Sequence, residues 1–288
     1  MPLARAAVQA HATPRAAARR RRGYSDAMDK LIVITGASSG IGAALADECA
    51  RRGARLVLAA RRVEALAEVA RRTNALARPT DVTKRDEVEA LAATAVAHGG
   101  RIDVWVNNAG RGISRPVSAL TDEDVDEMML VNLKSALYGM QAVLPRFKAA
   151  RQGQIVNVSS MLGRVPMAPL RSVYAASKAA LNTLSANLRM ELAADFPDIH
   201  VTTVMPGVVA TDFGTSARHG GPDSRQLPGA QPVEEVARII ADAIEQPRAE
   251  VYTRPEMQQF AAAYFGADDV AELERKPPFM RLPPPAAT

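Results

Sequence analysis

LIVITGASSGIGAALADECARRG, residues 31–53, decides how this chain folds. LIVI is a short apolar run, AALADECARRG carries a helical pattern, and TGASSGIG (35–42) joins them through three glycines. A glycine-rich turn between a strand and a helix is where phosphate is held. The helix N-terminus there presents free N–H groups and the positive end of its dipole. Gly36 permits the tight turn, Gly40 lets backbone approach a pyrophosphate, and Gly42 lets the helix lie close to the sheet. The spacing is G-x-x-x-G-x-G rather than G-x-G-x-x-G, which makes a slightly wider loop.

Working outward, apolar runs alternate with helical patterns along the chain. Strands are expected at 31–35, 55–60, 77–82, 102–110, 154–160, 200–207 and 250–254. Helices are expected near 41–52, 62–74, 84–98, 121–150, 172–194 and 233–245. Most of the strands are continuous apolar runs, as strands covered on both faces require. Strand and helix repeated in this way give an α/β fold, a Rossmann-type doubly wound parallel sheet of about seven strands in a single domain. The segment GTSARHGGPDSRQLPGAQP (214–232) is rich in Gly, Pro and Ser and lacks periodicity, so it reads as a functional loop or lid. Residues 256–288 read as a C-terminal helix and a Pro-rich tail.

The formal charge of +5 raises the question of nucleic-acid binding, and its location answers it. Residues 1–28 hold six arginines against the single acid Asp26, which is the whole surplus, so the body is neutral overall. The leader reads as a disordered basic tail, a transit peptide, or sequence ahead of a true start at Met28. Composition is that of a soluble globular protein, with 48% hydrophobic and 23% charged residues. No apolar run approaches the roughly 18 residues of a membrane span. The lone Cys49 excludes an intrachain disulfide framework and suits a reducing, cytoplasmic setting. The four histidines are scattered without metal-ligand spacing, so no metal is expected.

The second strand bears on the cofactor. Folds that take NAD often end this strand on an acid that binds the ribose hydroxyls. Here it runs LVLAARR, with Ala60 at that point followed by Arg61 and Arg62, a pattern suited to a 2′-phosphate. Further on, SVYAASKAAL sets Tyr174 and Lys178 four apart on one helix face. A tyrosine of pKa about 10 exchanges protons poorly at neutral pH, and a nearby ammonium is expected to lower that value. NVSS brings Ser160 to the carboxyl edge of the sheet, where NNAG (107–110) also ends a strand.

With these motifs in order, the chain resembles a short-chain dehydrogenase/reductase of the compact single-domain type. TGASSGIG, DVT (81–83), NNAG, Asn132, Ser160, YAASK and PGVVAT (206–211) carry the resemblance, which spans residues 29–255. It implies that Tyr174 acts as acid and base, that Ser160 stabilises the substrate oxygen, and that Asn132 holds a water for proton relay. Lys178 would bind the nicotinamide ribose and depress the pKa of Tyr174. Cofactor contacts would come from Gly36, Ser38, Ser39, Gly40, Ile41 and Gly42 in the turn. Arg61, Arg62, Asp81, Val82, Asn108, Ala109 and Gly110 would follow, then Pro206, Gly207, Val209 and Thr211. One departure stands out: Ser160 precedes Tyr174 by fourteen positions where the family has thirteen, which places an extra residue in the loop RVPMAPLR (164–171).

The function so implied is an NADP(H)-preferring oxidoreductase, NAD(H) remaining possible, that interconverts a secondary alcohol and a ketone. The alternatives are a reductase of carrier-bound 3-oxoacyl chains and a non-catalytic dinucleotide sensor on the same fold. Arg111, Gly112, Ile113, Met161, Leu162, Val208 and the 214–232 loop would line the substrate pocket, which suggests a hydrophobic ketone. No nucleic-acid or membrane partner is expected. The resemblance implies a homodimer or homotetramer assembled through the helices that carry Asn132 and Tyr174.

Overall fold

The computed structural model describes residues 28–279; the basic leader and the last part of the Pro-rich tail lie outside the described residues. Seven strands form one parallel sheet: β1 (Leu31–Thr35), β2 (Arg55–Ala60), β3 (Leu76–Pro79), β4 (Val104–Asn107), β5 (Gly153–Val158), β6 (Ile199–Met205) and β7 (Glu250–Tyr252). Their spatial order is β3-β2-β1-β4-β5-β6-β7. The order reverses between β1 and β4, so the connections leaving those two strands diverge and open a crevice at the carboxyl edge.

Burial explains the apolar runs. Leu31 and Val33 of β1 face one layer while Ile32 and Ile34 face the other, and all four are fully buried. One layer is built by α1 (Gly40–Arg51), α2 (Val63–Thr73) and α7 (Val233–Glu245), whose Leu45, Leu66, Ile240 and Ile244 meet the sheet. The opposite layer holds α3 (Arg85–Gly99), α5 (Ser135–Ala150) and α6 (Ser172–Leu192), where Trp105, Val143, Phe147 and Leu181 pack together. Cys49 lies in the first layer, its thiol pushed up to about 12 by burial and so chemically quiet.

The expected helix over 121–150 is one helical run with a discontinuity. It comprises α4 (Asp122–Met129), a π turn at Leu130–Lys134, and α5. Thr121 and Asp124 form a reciprocal capping box at its start. The π turn holds Asn132, and such turns recur at functional sites. Strand β4 is shorter than expected: only Asn107 of NNAG is in the strand, and Asn108–Gly110 form the loop beyond it. Beyond β7, α8 (Pro255–Phe265) and α9 (Val270–Glu274) fold back onto the body. There Ala261 and Tyr264 bury Met161 and Val165. Among the described residues no helix is long and apolar enough to cross a membrane.

Candidate active site

The turn after β1 is held from β4. Thr35, buried at the end of β1, donates from Oγ1 to Val106 O at 3.1 Å and accepts from the backbone N–H groups of Asn108 and Ala109. Asn108 Nδ2 donates to Thr35 O at 2.9 Å and to Gly36 O at 3.2 Å. Gly36 has φ of 67°, and a Cβ there would lie 2.8 Å from the Ala109 backbone. A Cβ on Gly42 would lie 2.4 Å from Gly36 O, so α1 can start this close to the turn only with glycine. Ser39 caps α1 without a side-chain hydrogen bond, and no acid stands in its first turn. The first N–H groups of α1 are therefore not engaged by a capping side chain, and they fit the diphosphate of a dinucleotide.

Gly110 continues the same loop into a tight triangle. A Cβ on it would come within 2.9 Å of Asn132 Oδ1 and 3.5 Å of Lys178 Nζ. Asn132 is buried, and its amide is occupied: Oδ1 accepts from Arg111 N and Nδ2 donates to Arg111 O, both at 2.9 Å. Its side chain thus fastens the loop after β4 to the π turn. Deeper, Asn107 accepts from Trp105 Nε1 and donates to Asn157 Oδ1, while Asn157 donates to Ser185 Oγ at 2.8 Å. This buried chain of amides ties β4 and β5 to α6 and so fixes the height of Tyr174 and Lys178 above the sheet.

Tyr174 and Lys178 lie on α6, both buried. Lys178 Nζ donates to Val158 O at 2.9 Å and stands 5.8 Å from the centre of the Tyr174 ring. Burial lowers the ammonium to about 8. It also pushes the Tyr174 phenol up to about 12, against the opposing pull of the Ser160 hydroxyl and the Arg171 guanidinium. Desolvation thus outweighs the opposing influences of Ser160 and Arg171 on the phenol. Ser160 lies at the edge beyond β5, where its Oγ accepts from Leu162 N at 3.1 Å. Phe213 packs on Tyr174 with ring centres 5.4 Å apart. Nothing in its own stretch of sequence marks it, since the contact exists only after folding.

The arginines after β2 divide. Arg62 turns back to the glycine turn, where its guanidinium donates to Ser38 Oγ at 3.1 Å and to Ser39 Oγ. Arg61 is exposed and lies on the side of Asp81. The Asp81 carboxylate accepts from the Thr83 N–H and hydroxyl. Burial would raise its pKa, but these bonds and the nearby cations hold it below its ordinary value. Val82 is buried behind it.

Of the residues expected around the substrate, Val208 is exposed and Leu162 packs beside Tyr174, Ile113 and Phe213. Met161 is buried in the α8 cluster, so its side chain supports the loop after β5. Thr211 lies beside Gly40, its methyl 3.5 Å from where a Cβ would be. Pro206 O accepts from Met161 N at 2.8 Å, and Val209 bridges to Gln231. The 214–232 segment is irregular and is joined to the rest by ion pairs. Asp124, fully buried, accepts from Arg115 and His219, each at 2.8 Å, and from Arg218. Glu127 accepts from Arg111 and Arg218. Burial would raise the Asp124 carboxyl, but hydrogen bonds from Arg115, His219 and Arg218 hold it well below the usual carboxylate range.

A reversed strand order, an uncapped helix end beyond β1, and a Tyr–Lys pair at the same edge define a dinucleotide-binding oxidoreductase. The family described as short chain dehydrogenase matches residues 30–221, and this chain belongs to it. It is 38% identical over 229 residues to an uncharacterized oxidoreductase of Listeria innocua, covering 76% of this chain and 92% of that protein. Among solved structures it resembles a short chain dehydrogenase/reductase from Burkholderia phymatum in complex with NAD, with a TM-score of 0.77 and 26% identity over 88% of this chain and 98% of that one. It also resembles an alcohol dehydrogenase from the archaeon Thermococcus sibiricus complexed with 5-hydroxy-NADP, with a TM-score of 0.69 and 30% identity over 77% and 95% of the two chains. The chain is an NAD(P)-dependent oxidoreductase.

Asp124→Ala removes the acceptor shared by Arg115, Arg218 and His219 and should free the segment that carries two of them. Trypsin should then cut after Arg218 and Arg225 faster than in the wild type, under conditions where the body stays intact. Equal cleavage rates would mean that the ion cluster does not hold this segment.

Proposed function

We propose that the enzyme interconverts a secondary alcohol and a ketone, prefers NADP(H), and uses Tyr174 as the proton donor and acceptor. The observation that carries this reading is the buried Tyr174 phenol, with Ser160 and Lys178 beside it, at the edge where the glycine turn ends. When bound, the nicotinamide supplies or takes up the hydride at the carbinol carbon. Ser160 hydrogen-bonds the substrate oxygen and stabilises the charge that develops on it. Tyr174 is protonated at neutral pH because burial holds its pKa near 12, so it is ready to donate to that oxygen.

Lys178 has three N–H donors, of which one is engaged by Val158 O, leaving the others for ribose hydroxyls. Asn132 acts here as a positioning residue for Gly110 and Arg111. The preference for NADP(H) rests on Ala60 in place of an acid, and on Arg62 poised over Ser38 and Ser39 with Arg61 beside it.

Two substitutions test this. Tyr174→Phe should abolish most turnover while leaving cofactor affinity nearly intact, as read by steady-state kinetics and a fluorescence titration with NADPH. Retention of most of the rate would contradict the role given to Tyr174. Arg62→Ala should weaken NADPH about ten- to a hundredfold, the value of one charge-assisted contact to phosphate. NADH should be affected far less, and an equal loss for both cofactors would remove the basis of the preference.

A further inference from the structure

Among the described residues, the arginines of the loop after β4 and of the 214–232 segment are all paired. Arg111 and Arg218 meet Glu127; Arg115 and Arg218 meet Asp124. Arg164 pairs with Glu250, the first residue of β7, and Arg225 pairs with Asp212 and Asp223. Arg171 differs. Among the described residues its guanidinium makes one hydrogen bond, from Nη1 to Ile113 O at 3.1 Å, and it pairs with no carboxylate.

Its position is built rather than incidental. The backbone of Leu170 accepts from Arg115 N at 2.8 Å, and Ser172 Oγ donates to Arg115 O at 2.6 Å, so the residues flanking Arg171 are stitched to the loop after β4. Two glycines make room for the side chain. A Cβ on Gly112 would lie 2.9 Å from Arg171 Nη1 and 3.0 Å from the Phe213 ring. A Cβ on Gly221 would lie 3.1 Å from Arg171 Nη2. Phe213 in turn packs on Tyr174, so one aromatic ring neighbours both the guanidinium and the phenol. Arg171 is the N-cap residue of α6 and precedes Tyr174 by three positions. Burial lowers the Arg171 pKa, and the one opposing influence is Tyr174 itself. A half-buried guanidinium with most of its five donors unused calls for an acceptor of opposite charge.

Resting on the function proposed above, we propose that Arg171 is a specificity residue that receives an acidic substituent of the substrate, a carboxylate or a phosphate ester, within a few bonds of the reacting carbonyl. The substrate class is then a short anionic ketone or its alcohol, in place of the hydrophobic ketone that the apolar lining residues suggest. The partly buried Leu162 and Phe213, backed by the fully buried Ile113, pack the carbon skeleton while Arg171 takes the charge.

The test compares matched substrates on the full-length enzyme with NADPH. One pair is 3-oxobutanoate and its methyl ester; the other is dihydroxyacetone phosphate and dihydroxyacetone. Wild type should favour the anion of at least one pair, and whichever pair shows the preference identifies carboxylate or phosphate. Arg171→Leu should lower kcat/KM for that anion about ten- to a hundredfold, mostly through KM, and lower it far less for the neutral partner. Arg171→Lys should recover part of the loss. A structural role would lower both partners alike, and that result would overturn the inference. If Arg171→Leu does not fold, the wild-type comparison decides alone: turnover of neutral ketones with no preference for either anion overturns Arg171 as an anion site and leaves the proposed function standing. Turnover of neither anion nor neutral ketone overturns both.

Discussion

The hydrogen bonds that Asn108 makes to Thr35 O and Gly36 O are the constraint from which the rest of the site follows. They cross from the loop after β4 to the turn after β1, at the one place where neighbouring strands send their chains in opposite directions. Without that tie the glycine turn would have no fixed height above the sheet, and the first N–H groups of α1 would have no fixed aim. Thr35 adds to it from beneath by accepting from two successive N–H groups of the same loop. Glycine is required because the two backbones leave no room for a methyl group: a Cβ on Gly36 would lie 2.8 Å from the Ala109 backbone. The loop so positioned then delivers Gly110 between Asn132 and Lys178, which links cofactor side and catalytic side through a single residue.

Burial governs the chemistry built on this frame. The same desolvation pushes a phenol up to about 12 and an ammonium down to about 8, bringing both toward their neutral forms. A proton donor at neutral pH and a lysine with donors to share are what that environment produces unaided. Charge enters the cleft from its rim instead. There Asp124 and Glu127 gather arginines from the loop after β4 and from the 214–232 segment into one cluster.

Much of the fold was legible because its signals are local. Strands covered on both faces read as unbroken apolar runs, and the turn at 35–42 declares itself through its glycines. The Tyr174–Lys178 pair is likewise visible as a spacing on one helix. What escaped depends on contacts between distant residues. Arg218 and Asp124 are 94 positions apart, and neither stretch reveals that the other will meet it. The π turn around Asn132 leaves no mark, since the helical pattern continues through it. Arg62 rather than Arg61 reaches the glycine turn, a choice set by where α2 begins and not by residue type. Spacing shows the ammonium near the phenol but not how deeply both groups are buried.

The central claim is that a hydride passes between a nicotinamide and a carbonyl carbon while the protein supplies the proton. Reduction of a carbonyl substrate with NADPH stereospecifically deuterated at nicotinamide C4, followed by mass spectrometry of the product, tests it directly. The account predicts an alcohol carrying one deuterium, fixed on the carbinol carbon, from one of the two C4 epimers of the cofactor. Oxidation of the cofactor with no deuterium at that carbon from either epimer would contradict it.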